Sequence, residues 1–267
     1  MIAVAVCSLK GGVGKTTVTL GLTSAALTAG LRVLVLDLDP QGDATAGLDA
    51  AGEIPSTLAK VVDDPRRRHL QACTVPSRWT DEGEGGEPAS VIDVAVGGEQ
   101  IAQHDRTDLS SRRLLSLRTV LAKVAKEDRY DLVVIDCPPS LGGLTRMGLA
   151  AADRVVVVTE PGVFAIAAAD RALRAVHDVR STLKVPVQPL GILVNRVRGH
   201  LAEHSYRVEE LRSLFGPLVM VGEIPERTAV QRAQGAFAPV HRLKDPGGRQ
   251  VASIFDALLQ RALRSRS

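Results

Sequence analysis

Ten residues near the start of the chain, SLKGGVGKTT (Ser8–Thr17), combine three glycines with two lysines and two threonines. Gly11, Gly12 and Gly14 allow successive backbone N–H groups to turn inward around an anion, and a helix starting near Lys15 adds the positive end of its dipole. There the Lys15 ammonium can reach the β- and γ-phosphates of a nucleotide, and the Thr16 hydroxyl is placed to bind Mg²⁺. The strict pattern G-x-x-x-x-G-K-[ST] is not met. Its first glycine falls on Leu9, and a second lysine, Lys10, follows.

Two further segments supply carboxylates. LVLDLDPQGDAT (34–45) closes an apolar run with Asp37 and Asp39. Alternation along a strand puts both on one face, at the carboxyl edge where open α/β sheets bind ligands. Either could hold or polarise an attacking water, free or metal-bound, or cap the turn at Pro40. YDLVVIDCPPSLG (130–142) is an apolar run ending in Asp136, the arrangement in which a carboxylate reaches Mg²⁺, usually through water. Pro138 and Pro139 stiffen the exit, and Gly142–Gly143 loosen it again, as a γ-phosphate-sensing loop requires.

These residues need a frame. Apolar runs at 2–8, 32–38, 91–96, 130–136, 154–160 and 190–196 are rich in β-branched residues and apolar on both faces, as the buried strands of a parallel sheet must be. Helical stretches at 15–29, 109–127, 144–151, 164–182 and 202–214 alternate with them, and a last helix spans about 248–264. Strand and helix in strict turn predict an α/β P-loop NTPase fold with a mostly parallel twisted sheet, flanked by helices on both faces. Residues 76–90 (PSRWTDEGEGGEPAS) are expected to be an exposed flexible loop, too short to separate domains. Residues 1–267 are therefore taken as one domain.

Composition narrows the class. Of the 267 residues, 45% are hydrophobic and 24% charged, as in an ordinary globular protein, while aromatics are only 3%, so aliphatic side chains must fill the core. No apolar run reaches the roughly 18 residues of a membrane span. No signal peptide is expected, because the chain enters an apolar strand at residue 2. Cys7, Cys73 and Cys137 form no CxxC pair, which points to a reducing cytoplasm and excludes an iron–sulfur carrier needing paired cysteines. A net charge of +3 permits an anionic partner without demanding one. His200 and His204 sit four apart without a third ligand, and an exposed helix face is expected there.

KGGVGKTT, DLDPQGDAT and VVIDCPPSLG, in this order, resemble the deviant Walker-A ATPases of the ParA/Soj/MinD group. The likeness covers essentially the whole chain, continuing through VNR (194–196) and IPERTAVQRAQGAFAPV (224–240). It is nearest the short ParA/Soj type, with no DNA-reading domain ahead of the first strand. The resemblance implies ATP and Mg²⁺ as cofactors and a weak, Mg-dependent intrinsic ATPase. It implies nucleotide contacts along Lys10, Gly11, Gly12, Val13, Gly14, Lys15, Thr16 and Thr17, with the adenine at Asn195 and Pro225. Thr16, Asp37 and Asp136 would line the metal side, and Asp39 would orient the hydrolytic water. Lys10 would be the signature lysine that crosses to the phosphates of a second subunit in an ATP-bound homodimer. The crossing has a physical rationale. Two facing nucleotides bring many negative charges together, and each charge-assisted hydrogen bond from a lysine is worth about 1.5–3 kcal/mol.

The resemblance further implies that the dimer binds double-stranded DNA without sequence preference and releases it after hydrolysis, in plasmid or chromosome segregation or cargo positioning. The expected contacts are Arg227, Arg232, Arg242, Lys244 and Arg249, although Glu226 stands where Soj-like relatives are often basic. A ParB-like or other cargo-linked activator is expected, and a cytoplasmic location, on the nucleoid in the ATP state. The rival is a MinD-like cycle on the membrane through the last helix, whose Ile254, Phe255, Leu258, Leu259 and Leu263 share a face. Packing of that face on the sheet makes membrane binding the less expected outcome.

Overall fold

The computed structural model describes residues 1–80, 90–226 and 228–265. In chain order the elements are β1 (Ile2–Cys7), α1 (Lys15–Thr28), β2 (Val33–Asp37), α2 (Asp43–Gly47), α3 (Leu58–Asp63), α4 (Arg67–Ala72), β3 (Thr74–Pro76) and β4 (Ile92–Ala95). There follow α5 (Ser111–Leu114), α6 (Ser116–Val124), β5 (Leu132–Asp136), α7 (Gly143–Ala151), β6 (Arg154–Thr159), α8 (Ala165–Leu183) and β7 (Gln188–Val194). The last three are α9 (Ala202–Phe215), α10 (Thr228–Gly235) and α11 (Pro246–Arg264).

The strands form one sheet in the order β3-β4-β2-β5-β1-β6-β7. Every pairing is parallel except that of the edge strand β3 with β4. Alternation along β1 feeds two cores. Ala3, Ala5 and Cys7 face the layer holding α7 and α8, and Ile2, Val4 and Val6 face the layer holding α1 and α11. Both faces of the central strands are dry, which is why their sequences lack polar alternation. The carboxyl ends of β1, β2, β5, β6 and β7 open on one edge, with β1 between β5 and β6.

The six expected strands and the long helices form within a few residues of their expected bounds. Stretch 109–127 breaks at Leu115 into α5 and α6. Strand β3 and the short helices α2–α4 were not expected, being too short for a hydrophobic period to show. The loop expectation for 76–90 needs correction at its start. Pro76 closes β3, Ser77 and Trp79 are buried, and Trp79 Nε1 donates to the Phe237 carbonyl at 2.7 Å. Residues 81–89 lie outside the described residues.

Helix α11 has an N-cap at Asp245, whose carboxylate accepts from Gly248 N at 3.0 Å, and a proline at its first position. Val251, Phe255, Leu258, Leu259 and Ala262 are buried along one stripe. Phe255 packs against Gly21 of α1, where a Cβ would come within 2.2 Å of the ring. The stripe from Val251 to Ala262 of α11 packs in the core, with Ile254 and Leu263 partly buried beside it, and no described helix is long and apolar enough to cross a membrane. Phe255→Ala should therefore cost about 3–5 kcal/mol of stability, read from urea denaturation. A loss below about 1 kcal/mol would contradict this packing.

Candidate nucleotide site

The turn Ser8–Gly14 joins the end of β1 to α1. Gly12 and Gly14 take φ of 77° and 89°, the left-handed region that glycine enters without steric cost. At Gly14 space is also closed, since a Cβ would lie 2.0 Å from Asn195 Nδ2. That amide donates to the Val13 carbonyl at 2.7 Å, so the end of β7 fixes the shape of the loop. The loop opens on a cavity of about 470 Å³, lined by Lys10, Gly14, Lys15, Thr16, Asp39 and Pro139 among others.

Lys15 is buried at the cavity floor, its Nζ 3.3 Å from Asp39 Oδ2 and 3.6 Å from Asp136 Oδ1. Asp136 also accepts from the Thr16 and Thr19 hydroxyls at 2.9 and 2.8 Å. Asp37 is fully buried behind them. It accepts from the Thr45 amide at 2.8 Å, the Thr45 hydroxyl at 2.6 Å and the Asp39 amide at 3.2 Å. Its carboxylate therefore anchors α2 and the turn that presents Asp39. Of the three residues expected on the metal side, Thr16 and Asp136 are hydrogen-bonded to each other, whereas Asp37 is engaged with the backbone of the neighbouring turn. Asp39 Oδ1 accepts from the Gln41 amide at 3.1 Å.

One ammonium against three carboxylates leaves this cluster net negative when all are ionised. The protonation equilibria show the stress. Burial, with the Asp136 charge beside it, pushes the Asp37 carboxyl up to about 7 against its hydrogen bonds from Thr45. Burial likewise raises Asp136, opposed by Lys15 and the two threonine hydroxyls. For Lys15 burial disfavours the charge, but Asp136 and Asp39 more than offset it and its value rises. A net-negative pocket with Thr16 beside Asp136 fits Mg²⁺. No group of three or more ligating His, Cys, Asp or Glu side chains forms among the described residues, so the ion's other ligands would be phosphate oxygens and water.

A second cavity, of about 190 Å³, adjoins the first and is lined by Thr17, Asn195, Arg196, Pro225 and Val230 among others. The Pro225 segment is docked on the chain leaving β7 by Val197 N to Ile224 O and Glu226 N to Val197 O, each 3.0 Å. Asn195 and Pro225, expected to contact adenine, thus line one pocket, together with Arg196, Glu226 and Gln231.

Several contributors were not foreseen. Gln234 Nε2 donates to Thr17 Oγ1 at 3.0 Å, and Gln234, Phe237 and Arg196 line the main cavity. Arg196 directly follows Asn195, and that adjacency was the one available signal. Asp105 accepts from Ser140 Oγ and the Leu144 amide, both at 3.2 Å, and so caps α7 from a distant segment. This revises the reading of Gly142 and Gly143. A Cβ at Gly142 would lie 1.9 Å from the Asp105 carboxylate, and one at Gly143 would lie 2.5 Å from the His104 and Arg106 carbonyls. The two glycines admit the 104–106 segment rather than loosen the loop.

Lys10 lines the phosphate cavity, but its ammonium is held by Glu160 rather than by the carboxylates of the pocket floor. Its side chain is 57% exposed and ion-paired with Glu160, just after β6. Of the expected DNA contacts, Arg232, Arg242, Lys244 and Arg249 gather around the N-terminus of α11. Arg232 pairs with Asp245 at 2.6 Å and Arg249 donates to the Lys244 carbonyl. Arg227 lies outside the described residues. Glu226 is paired with Arg198. His200 precedes α9 and does not share a helix with His204, whose Nδ1 accepts from Arg198 N at 3.0 Å.

The shift of Asp37 has a consequence for stability. Its folded value lies above the roughly 3.9 of an unfolded-chain Asp, so the folded chain holds the extra proton. The contribution is present in full below about pH 4 and is lost as pH rises through about 7. In EDTA without nucleotide, the wild-type urea midpoint should fall between about pH 5.5 and pH 8 more steeply than that of Asp37→Asn. Equal slopes would contradict this.

Residues 1–188 match the family model described as AAA domain. The chromosome-partitioning ATPase Soj of Thermus thermophilus is 30% identical over 97% of this chain and 95% of its own. The chromosome partitioning protein ParA of Caulobacter vibrioides is 29% identical over 96% of this chain and 93% of its own. Among solved structures, cobyrinic acid a,c-diamide synthase from Mycobacterium smegmatis with bound ADP and magnesium matches with a TM-score of 0.75 and 26% identity, over 97% of this chain and 94% of that one. With the P-loop, the terminal strand carboxylates and the sheet order in place, the chain belongs to the AAA-domain family, as a ParA/MinD-type P-loop ATPase.

Proposed function

We propose that this chain is an ATP-controlled dimer that binds DNA non-specifically in its Mg²⁺–ATP state and lets go after hydrolysis, in segregation or cargo positioning. The observation that carries the reading is the division of labour between two lysines. Lys15 lies at the pocket floor, where it would take the phosphates, while Lys10 stands at the mouth, more than half exposed and held by Glu160. A lysine so placed is available to phosphates presented by a second copy.

The Lys15–Asp39 contact offers a gate for hydrolysis. Lys15 Nζ is bonded to Asp39 Oδ2, so the water-orienting carboxylate is occupied until phosphate takes the lysine. Asp39 Oδ1 stays on the Gln41 amide, which keeps the freed carboxylate aimed at the pocket. Mg²⁺ held by Thr16 and Asp136 would neutralise charge on the β- and γ-phosphates. Asn195 would accept from or donate to the base edge while its amide keeps the loop in shape.

Basic residues around the α11 N-terminus support the DNA reading, with Arg232 partly neutralised by Asp245. Three phosphate contacts per subunit become about six per dimer, which lose on the order of 10³ in affinity between 50 and 200 mM salt. A monomer with half as many would hardly hold DNA. The ATP state can then gate DNA binding with no change in the basic surface. A ParB-like or other cargo-linked protein would stimulate turnover. The fold likeness to the diamide synthase favours a second reading, ATP-dependent amide formation on a carboxylic acid, in which ATP consumption would require that acid rather than respond to DNA.

DNA retention should require Mg²⁺–ATP, vanish with ADP and fall steeply between 50 and 200 mM salt, and Asp39→Ala should remain on DNA far longer than wild type. Equal retention with ADP and ATP, or wild-type ATP turnover by Asp39→Ala, would contradict the proposal.

A further inference from the structure

The loop that follows Asp136 has few supports of its own. Residues 137–142 join β5 to α7, and Pro139 among them lines the phosphate cavity with Lys15, Thr16 and Asp39. Thr145 Oγ1 donates to the Pro138 carbonyl at 3.2 Å, and Gly142 N donates to Ser140 Oγ at 3.3 Å. Both bonds stay within the loop and its own helix. The N-cap of α7 is Gly142, which has no side chain to offer the helix's free amides.

Asp105 supplies the cap and an outside tie together. One carboxylate oxygen accepts from the Leu144 amide and the other from the Ser140 hydroxyl, each at 3.2 Å. A single group thus spans the turn from its loop side to its helix side. Its base is fixed, because Asp105 ends the turn Glu99–His104, in which Ile101 and His104 are buried, and its amide donates to the Ala102 carbonyl at 3.0 Å. Gly142 makes room for the clamp. Its φ of −69° and ψ of −170° suit any residue, so its missing Cβ serves space rather than conformation. A Cβ there would lie 1.9 Å from Asp105 Oδ1.

We infer that Asp105 is a positioning residue for ATP hydrolysis. It lines neither nucleotide cavity and acts through Ser140 and Leu144, which set the stance of Pro139 opposite Asp39. The inference rests on the ATP-hydrolysing part of the reading above, and on neither dimerisation nor DNA. A displacement of about 1 Å caused by a remote change can cost on the order of 10² in rate. The groups expected to hold the nucleotide, Lys15, Thr16, Asn195 and Pro225, lie on other segments and keep their own bonds. Loss of the clamp should therefore slow turnover without loosening the nucleotide.

The test is steady-state ATP turnover with Mg²⁺, run beside the affinity for a fluorescent ADP. Asp105→Ala should lower kcat about ten-fold or more, while KM for ATP and the ADP affinity stay within about two-fold of wild type. Asp105→Asn keeps a carbonyl acceptor for the Leu144 amide and should recover most of the rate. Gly142→Ala keeps Asp105 but evicts its carboxylate, so it should reproduce the kcat loss, and the double variant should be little slower than either single one. Wild-type kcat in Asp105→Ala or in Gly142→Ala would overturn this inference and leave the ATPase reading standing. So would a loss of ADP affinity as large as the loss of kcat, which marks a merely structural role. A wild type that turns over no ATP, with or without DNA, would overturn both.

Discussion

Lys15 lies buried between Asp39 and Asp136, with Asp37 behind them, and the carboxyl edge of the sheet is organised around that excess of negative charge. Burying one ammonium beside three carboxylates is tolerable only because each oxygen has a donor: Thr16 and Thr19 for Asp136, Thr45 and the Asp39 amide for Asp37, Gln41 N for Asp39. Even so, Asp37 is driven up to about 7. A site under such stress is relieved by what a metal–nucleotide complex brings, a divalent cation for the carboxylates and phosphates for the lysine. In the proposed cycle the same exchange would free Asp39 from Lys15, linking binding to hydrolysis through one rearrangement of charge.

The surrounding loops take their shape from that pocket. Asn195 holds the P-loop through Val13, Asp105 holds the segment after Asp136 through Ser140 and Leu144, and Asp37 holds α2. Asn195 and Asp37 stand at the ends of β7 and β2, and Asp105 at the end of the turn 99–104. Lys10 stands on the outward part of this rim, its ammonium held by Glu160.

Much of this was legible in the sequence because it depends on local rules. Gly12 and Gly14 occupy left-handed positions, Lys15 begins the helix, and Asp37 and Asp136 end apolar strands, all consequences of spacing. What escaped depends on distant segments meeting. Asp105 caps α7 across 39 positions, Gln234 reaches Thr17 across 217, and the crowding at Gly142 arises from a residue that no periodicity connects to it. Asp37 shows the limit from the other side. The resemblance put it on the metal side and the strand position left a turn-capping role open; both its oxygens accept from the neighbouring turn. The edge strand β3 was too short to leave a pattern, and Trp79, read as part of an exposed loop, is buried through its contact with Phe237.

The central claim is that Lys10 serves a nucleotide other than its own. Light scattering after size exclusion, with Mg²⁺ and a slowly hydrolysed ATP analogue, measures it directly against the 28.3 kDa chain mass. Wild type should elute at about twice that mass and Lys10→Ala at the monomer mass, with nucleotide affinity largely retained. A Lys10→Ala protein that dimerises like wild type would contradict the account.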